Sequence, residues 1–157
     1  MDVDVVIEVP RGSANKYEID RASGAIRLDR TLSPALRYPV DYGFLPGTLG
    51  EDGDPLDALV PLDEPAFPGC RVGCRAIGLL RMADEAGGDA KVLAVPHWDP
   101  RTELGDVSDP WLAAIRHFFD VYKDLEPGRS TVVIGWEDRA AAESEVRRAR
   151  ERFRERA

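Results

Sequence analysis

Histidine and cysteine are scarce in this chain, with two of each among 157 residues. A zinc site draws about four ligands largely from these types, so none is expected. Cys70 and Cys74 lie four residues apart in an expected strand, a span of roughly 13 Å at about 3.3 Å per residue. That is too far for a disulfide with each other, and both read as buried strand thiols. Positive charge is also short. Lys and Arg number 21 against 29 Asp and Glu, a formal net charge of −8. Nucleic acid and anionic membrane select basic surfaces, so neither is expected as the main partner. No apolar run is long enough to cross a bilayer as a helix. The opening MDVDVVIEVP carries acids where a signal peptide carries basic residues. It reads directly as a strand, and a cytoplasmic protein is expected. There is no repeat, low-complexity tract or linker, and the length suits one domain, residues 1–157.

What is present reads as strands first and helices last. Val3, Val5, Ile7 and Val9 alternate, which puts Glu8 on the opposite face. KYEID repeats the pattern, with Tyr17 and Ile19 on one face and Lys16 and Glu18 on the other. RASGA is a hairpin turn, and AIRLDR follows as a strand ending at Arg30. The proline- and glycine-rich stretch from Leu32 to Pro55 reads as loop with short extended pieces. LDALVPL, CRVGCRAIGLLRM and KVLAVPHW are strands. DEAGGDA turns between the last two, with Gly87 and Gly88 supplying the bend. The period then changes. SDPWLAAIRHFFDVYKDL has Ser108 or Asp109 as N-cap and Pro110 in the first turn. Its Leu112, Ile115, Phe119 and Tyr122 recur at helical spacing. STVVIGW is one more strand. The tail from Asp138 is a helix with a narrow stripe at Ala142, Val146, Ala149 and Phe153, and an i, i+4 pair of Glu143 and Arg147. Short strands followed by peripheral helices predict a mainly β fold, a small closed barrel with helices outside.

The stretch EDGDPLDALV places Asp52, Asp54 and Asp57 within six residues. Alone it reads as a solvated acidic turn. It is not a calcium EF-hand loop, which would need an acid or Asn at 56 and Gly at 57, where Leu56 and Asp57 stand. A second acidic turn, DEAGGDAK, holds Asp84, Glu85, Asp89 and Lys91. Each acidic turn borders an apolar strand, so both can lie at one mouth of the barrel. Glu8 and Glu18, on non-core faces, can join them. Two carboxylates about 4 Å apart repel by roughly 1 kcal/mol in water, and by several times that when partly buried. Converging acids therefore need cations, and all-oxygen donors select Mg2+ or Mn2+ over Zn2+. Basic and phenolic groups follow the same strands. Lys16 shares a face with Glu18, and Lys91 with Asp89. Arg30 ends a strand, Tyr38 and Tyr42 lie in RYPVDYGF, and Tyr122 and Lys123 close the first helix. Singly, these are surface cations and packed tyrosines. Jointly, acids that bind metal beside cations that bind anion describe a site for a metal–phosphate complex.

The motifs IEVP, NKYEID, LDR, YPVDYGF, DGDPLD, DEAGGDAKVLAVP and HFFDVYKDLEPG occur in that order over nearly the whole chain. In them the sequence resembles the family I soluble inorganic pyrophosphatases of bacterial type, whose signature Asp-x-Asp-Pro-x-Asp stands here as DGDPLD. The resemblance implies a five-stranded closed β-barrel of the oligonucleotide-binding type with two peripheral helices. It also implies a cytoplasmic homohexamer that hydrolyses pyrophosphate to two phosphates, Mg2+-dependently, with a metal-activated water. Asp52, Asp57 and Asp89 would hold an activating Mg2+, and Asp57 would also reach a second. Asp84 and Asp89 would hold a metal that arrives with the substrate, and Glu8 and Glu18 would complete the metal shell. Lys16, Arg30, Tyr42, Lys91, Tyr122 and Lys123 would bind phosphoryl oxygens, with Tyr38 behind them. Asp54 would take the proton from the attacking water, with Asp89 its rival.

The chain departs from the family pattern in two places. Phe44 stands where YGY is commoner, and HWDPRTELGDVSDP is shorter than in many relatives, which leaves subunit contacts open. A metal-dependent phosphohydrolase acting on nucleotides fits less well, because no GxxxxGK[ST] loop is present. A barrel that binds metal or nucleic acid without catalysis leaves Lys16, Arg30, Lys91 and Lys123 without a task.

Overall fold

Alternating apolar and polar residues put most of the first hundred positions into strands, seen in a computed structural model that describes residues 1–157. The strands are β1 (Asp2–Val9), β2 (Asn15–Ile19), β3 (Ile26–Thr31), β4 (Asp41–Phe44), β5 (Asp57–Val60), β6 (Arg71–Asp84), β7 (Gly87–Pro96) and β8 (Thr131–Glu137). The helices are α1 (Asp109–Val121) and α2 (Arg139–Arg156), with a short 3-10 turn at Leu104–Asp106. The fold is mainly β with two helices. Six strands share one sheet in the order β1-β4-β5-β7-β6-β8, and β1 pairs with β6 as well. All these pairs are antiparallel except β5 with β7. β2 and β3 form a separate two-stranded sheet.

The central strands are buried on both faces, which is why they read as nearly continuous apolar runs. Leu59 and Leu93 join Tyr38, Tyr42, Ile115, Phe118 and Phe119 in a core closed by α1. Their strand neighbours Ala58 and Val92 point the other way, toward a core of Val5, Ile7 and Leu56 closed by Ala142, Val146 and Ala149 of α2.

Several local expectations need correcting. The β6–β7 hairpin turns at Glu85–Ala86, because Asp84 already pairs with Gly87. Gly87 has φ +118°, a conformation that glycine adopts without a Cβ penalty, and Asp89 lies within β7 rather than in a turn. Cys74 is buried, but Cys70 precedes β6 and is only half-buried; neither is in a disulfide. The α2 stripe ends at Ala149, and Phe153 is 45% exposed. Its place in the buried set is taken by Glu145, which is neutralised by Arg148 and Arg152 at 3.0 and 2.7 Å. Glu143 lies 3.2 Å from the N-terminal ammonium and 4.0 Å from Arg139, its ion-pair partners instead of Arg147. Ser108 is the N-cap of α1 but makes no side-chain capping hydrogen bond, and Phe118 is buried where Leu112 is only partly so.

One glycine is fixed by close strand approach. Gly43 of β4 is opposite Ile7 of β1. A Cβ there would stand 1.9 Å from Val6 O and 2.8 Å from Val6 C, both backbone atoms that cannot swing aside. Gly43→Ala is expected to cost about 3 kcal/mol or more by forcing β1 and β4 apart. Urea unfolding measures it, and an unchanged midpoint would show that the strands separate freely.

Candidate active site

The strand pattern delivers the chemically active side chains to one place. A cavity of about 340 Å³ is lined by Glu8 from β1, Lys16 and Glu18 from β2, Arg30 from β3, and Tyr42 from β4. The loop before β5 adds Asp52 and Asp54, and β5 adds Asp57. Asp84 comes from β6, Asp89 and Lys91 from β7, and Tyr122 and Lys123 from the end of α1. Tyr38 also lines the wall. It is buried against Phe118 and Tyr42, with ring centroids 4.8 and 5.5 Å away.

Lys91 is the pivot of the cavity floor. It is 1% exposed, and its ammonium lies 2.8 Å from Asp57, 3.1 Å from Asp89 and 3.3 Å from the Tyr42 hydroxyl. An ammonium has three donors; Asp57 and the Tyr42 hydroxyl accept two of them, and Asp89 pairs with it by charge. Burial works against its charge, but Asp57 and Asp89 outweigh burial and hold the ammonium well above the ordinary lysine value. The rings of Tyr42 and Phe119 lie 5.2 Å from it and favour the cation further. At the rim, Lys16 contacts Glu18 at 2.7 Å and Asp29 at 3.2 Å, and these carboxylates raise it despite burial. Lys123 stands 3.7 Å from both Asp84 and Glu85.

Arg30 Nε is 3.0 Å from Glu126, close enough for charge attraction. The angle fails as a hydrogen bond, so Nε and one Nη remain buried donors without an acceptor. Buried unpaired donors are costly, and an anion in the cavity would satisfy them.

The carboxylates are spread along the wall with lysines between them. No three acidic, imidazole or thiol groups stand close enough to form a ready metal cage. Their mutual repulsion is nonetheless visible. Burial and the charges of Asp89, Asp57 and Asp54 push Asp52 up, against the Asp54 N–H that it accepts. Burial and Asp89 push Asp57 up against the pull of Lys91. Buried oxygen donors with like charges beside them resist ionisation, and a divalent cation offsets both effects.

Glu8 gives this burial among acids a measurable consequence. Burial first, then Asp57 and Glu18, push its carboxyl from 4.5 to about 7, although the Ile19 N–H donates to it at 2.8 Å. The folded protein therefore holds this proton more tightly than the unfolded chain. Stability due to Glu8 falls as pH rises from about 4.5 to about 7. Glu8→Gln is expected to flatten this part of the slope in urea midpoints measured in metal-free buffer. A slope equal to that of the parent would show that other groups carry it.

Four further charged groups face the site without having been singled out in the sequence. Arg21 and Arg129 line the cavity. Asp29 pairs with Lys16, and Glu126 with Arg30 and Arg129. Asp29 had a signal, since LDR places it one residue from Arg30. Arg21, Glu126 and Arg129 sit in turns whose direction no periodicity reveals.

The sequence and the fold have close counterparts. The family model described as Inorganic pyrophosphatase matches residues 5–154. The inorganic pyrophosphatase of Streptomyces coelicolor is 57% identical over 99% of this chain and 98% of its own length. That of Thermus thermophilus is 52% identical over 97% of this chain and 90% of its own. Among solved structures, the Coxiella burnetii inorganic pyrophosphatase superposes with a TM-score of 0.93 at 45% identity, covering 97% of this chain and 95% of its own. The Helicobacter pylori inorganic pyrophosphatase gives 0.94 at 42%, covering 98% and 94%. Agreement of this extent in sequence and in fold, over almost the full length of both partners, makes this chain a member of the inorganic pyrophosphatase family.

Proposed function

We propose that this chain hydrolyses inorganic pyrophosphate to two orthophosphates with Mg2+, or Mn2+ in its place. The observation that carries the reading is the interleaving of carboxylates with Lys16, Arg30 and Lys123 around one cavity. A metal pyrophosphate presents the complementary alternation of cations and phosphoryl oxygens. All the donors on offer to a metal are carboxylate oxygens, which suits a hard divalent ion. Asp52, Asp57 and Asp89 would hold one such ion, with Asp57 reaching a second. Asp84 and Asp89 would hold the ion that accompanies the substrate, and Glu8 and Glu18 would complete the shell. When bound, Mg2+ neutralises phosphoryl charge and lowers the pKa of water.

The chain's own share is binding, orientation and proton handling. Lys16, Arg30, Tyr42, Tyr122 and Lys123 bind phosphoryl oxygens and hold the P–O–P unit in line for attack. Lys91 joins them by exchanging one of its three present partners. Water forms a new bond to one phosphorus as the bridging P–O bond breaks, and Asp54 takes the water's proton. Asp89 is the rival base, but its Oδ2 is already engaged by Lys91 at 3.1 Å. Tyr122 and Lys123 stabilise the departing phosphate.

The same reading takes residues 1–157 as one domain. The β1–β6 pairing supports closure of β1, β4, β5, β7 and β6 into a five-stranded barrel of the oligonucleotide-binding type. No helix is long and apolar enough to cross a membrane. The net charge of −8 opposes nucleic acid as a partner, and a cytoplasmic homohexamer is the expected form. Outward-facing Val132 and Ile134 on β8 are exposed apolar residues that subunit contacts would cover.

Phosphate release from pyrophosphate and from ATP, each with Mg2+ and with chelator, tests the reading. Fast release is expected from Mg-pyrophosphate alone. Equal rates on ATP would overturn the substrate, and activity surviving chelation would overturn the metal dependence. Light scattering that shows a monomer would remove the hexamer.

A further inference from the structure

We infer that Arg152 and Glu145 of α2 are positioning residues for the acidic loop that carries Asp52 and Asp54. The inference rests on the pyrophosphatase reading of the site and extends it to a helix that does not line the substrate cavity. The loop closes at its own neck, where the Gly50 N–H donates to Asp54 O at 2.7 Å. Within it, Gly53 turns the chain at φ +89°, and the Asp54 N–H donates to Asp52 Oδ1 at 3.0 Å. Just outside the neck, Leu49 gives both of its backbone polar groups to α2. Its N–H donates to Ala149 O at 2.9 Å, and its carbonyl accepts from Arg152 Nε at 2.8 Å.

Arg152 is held in turn. Its Nη2 donates to Glu145 Oε1 at 2.7 Å, and Arg148 binds the other Glu145 oxygen at 3.0 Å. The Glu145 side chain is almost fully buried. A buried carboxylate is costly, and its two arginine partners offset that cost only while the fork geometry is kept. The planar guanidinium is suited to this task because it spans two acceptors at once. Arg156 at the end of α2 also approaches the loop, with Nη1 3.9 Å from where a side chain at Gly53 would begin.

The division of labour follows from the topology. Asp57 belongs to β5, and the ladder fixes it opposite Lys91 of β7. Asp52 belongs to no strand. Its distance from Asp57 is set by where the loop is tied: at its base, where the Leu56 N–H donates to Thr48 Oγ1 at 3.0 Å, and to α2 through Leu49. The clamp therefore limits how far Asp52 can move from Asp57 before any cation arrives.

Arg152→Ala in the full chain tests this. Amide hydrogen exchange of residues 49–54, measured without metal or substrate, is expected to rise at least about tenfold. Calorimetric Mg2+ affinity is expected to fall by about 10–100-fold, the usual effect of losing an outer support of a metal site. Turnover at saturating Mg2+ should also fall, because the same loop carries Asp54, while the KM for pyrophosphate should stay within about threefold of the parent, because the groups that bind its phosphoryl oxygens are untouched. Arg152→Lys keeps the charge beside Glu145, but one nitrogen cannot span both acceptors, so it should loosen the same segment. Unchanged exchange and Mg2+ affinity in Arg152→Ala, with only a lower melting temperature, would reduce the clamp to simple bracing and overturn the inference. A parent-like Arg152→Lys would overturn it too, and decides alone if the alanine variant does not fold. A parent protein that neither binds Mg2+ nor releases phosphate would instead sink the functional reading, while the exchange result would still report on the clamp.

Discussion

Asp57→Asn is expected to lower turnover by roughly 10³-fold or more, and added Mg2+ should not restore it. The carboxylate is fixed by strand register, opposite Lys91, so a neighbouring loop cannot move in to replace it. Its Oδ2 lies 2.8 Å from the Lys91 ammonium, which is itself buried. Asparagine keeps an acceptor oxygen but removes a full charge. Two losses then coincide. The cation site loses its central carboxylate, and Lys91 keeps only Asp89 as a charged partner, so positive charge is added where a metal must enter. Asp52→Asn removes charge from the loop alone, and high Mg2+ should recover part of its loss. Turnover titrated against Mg2+ separates the two. Recovery of parental turnover by Asp57→Asn at high Mg2+ would make Asp57 an ordinary single ligand.

The parts of this site legible in the sequence are those set by local spacing. Two-residue periodicity placed Lys16 beside Glu18, and Lys91 beside Asp89. In the structure these pairs are 2.7 and 3.1 Å apart. The contact between Lys91 and Asp57 was not legible, because it depends on the single parallel pairing, β5 with β7, across 34 residues of chain. Asp41 shows the same limit. In YPVDYGF it reads as one more polar residue, yet it is fully buried and accepts from the backbone N–H groups of Arg11 and Ala66 at 3.2 and 2.7 Å. Those partners lie in loops that only the fold brings together. On α2 the periodicity gave the right face for Ala142, Val146 and Ala149. It gave no information on how far the packed surface extends, hence the exposed Phe153. It also gave none on Leu49, the remote backbone partner of the arginine that neutralises Glu145.

Asp54→Asn should separate proton handling from cation binding. Of the three aspartates in DGDPLD, only Asp57 has a buried partner, Lys91, and Asp54 is the one whose carboxylate meets nothing but a surface cation. Its side chain is 73% exposed, and its nearest cation is the exposed Arg21 at 3.5 Å. Its backbone N–H, not its carboxylate, supports Asp52. Asparagine therefore leaves the loop and the Asp52 carboxylate in place, and Mg2+ affinity should change little. Turnover should nonetheless fall by roughly 10²–10⁴-fold, the usual contribution of a positioned base, because an amide cannot take the water's proton. Calorimetric Mg2+ titration beside turnover decides the matter. If Asp54→Asn loses Mg2+ affinity as severely as Asp57→Asn, Asp54 is a ligand. The proton must then pass to Asp89, the rival base, whose Oδ2 lies 3.1 Å from the Lys91 ammonium.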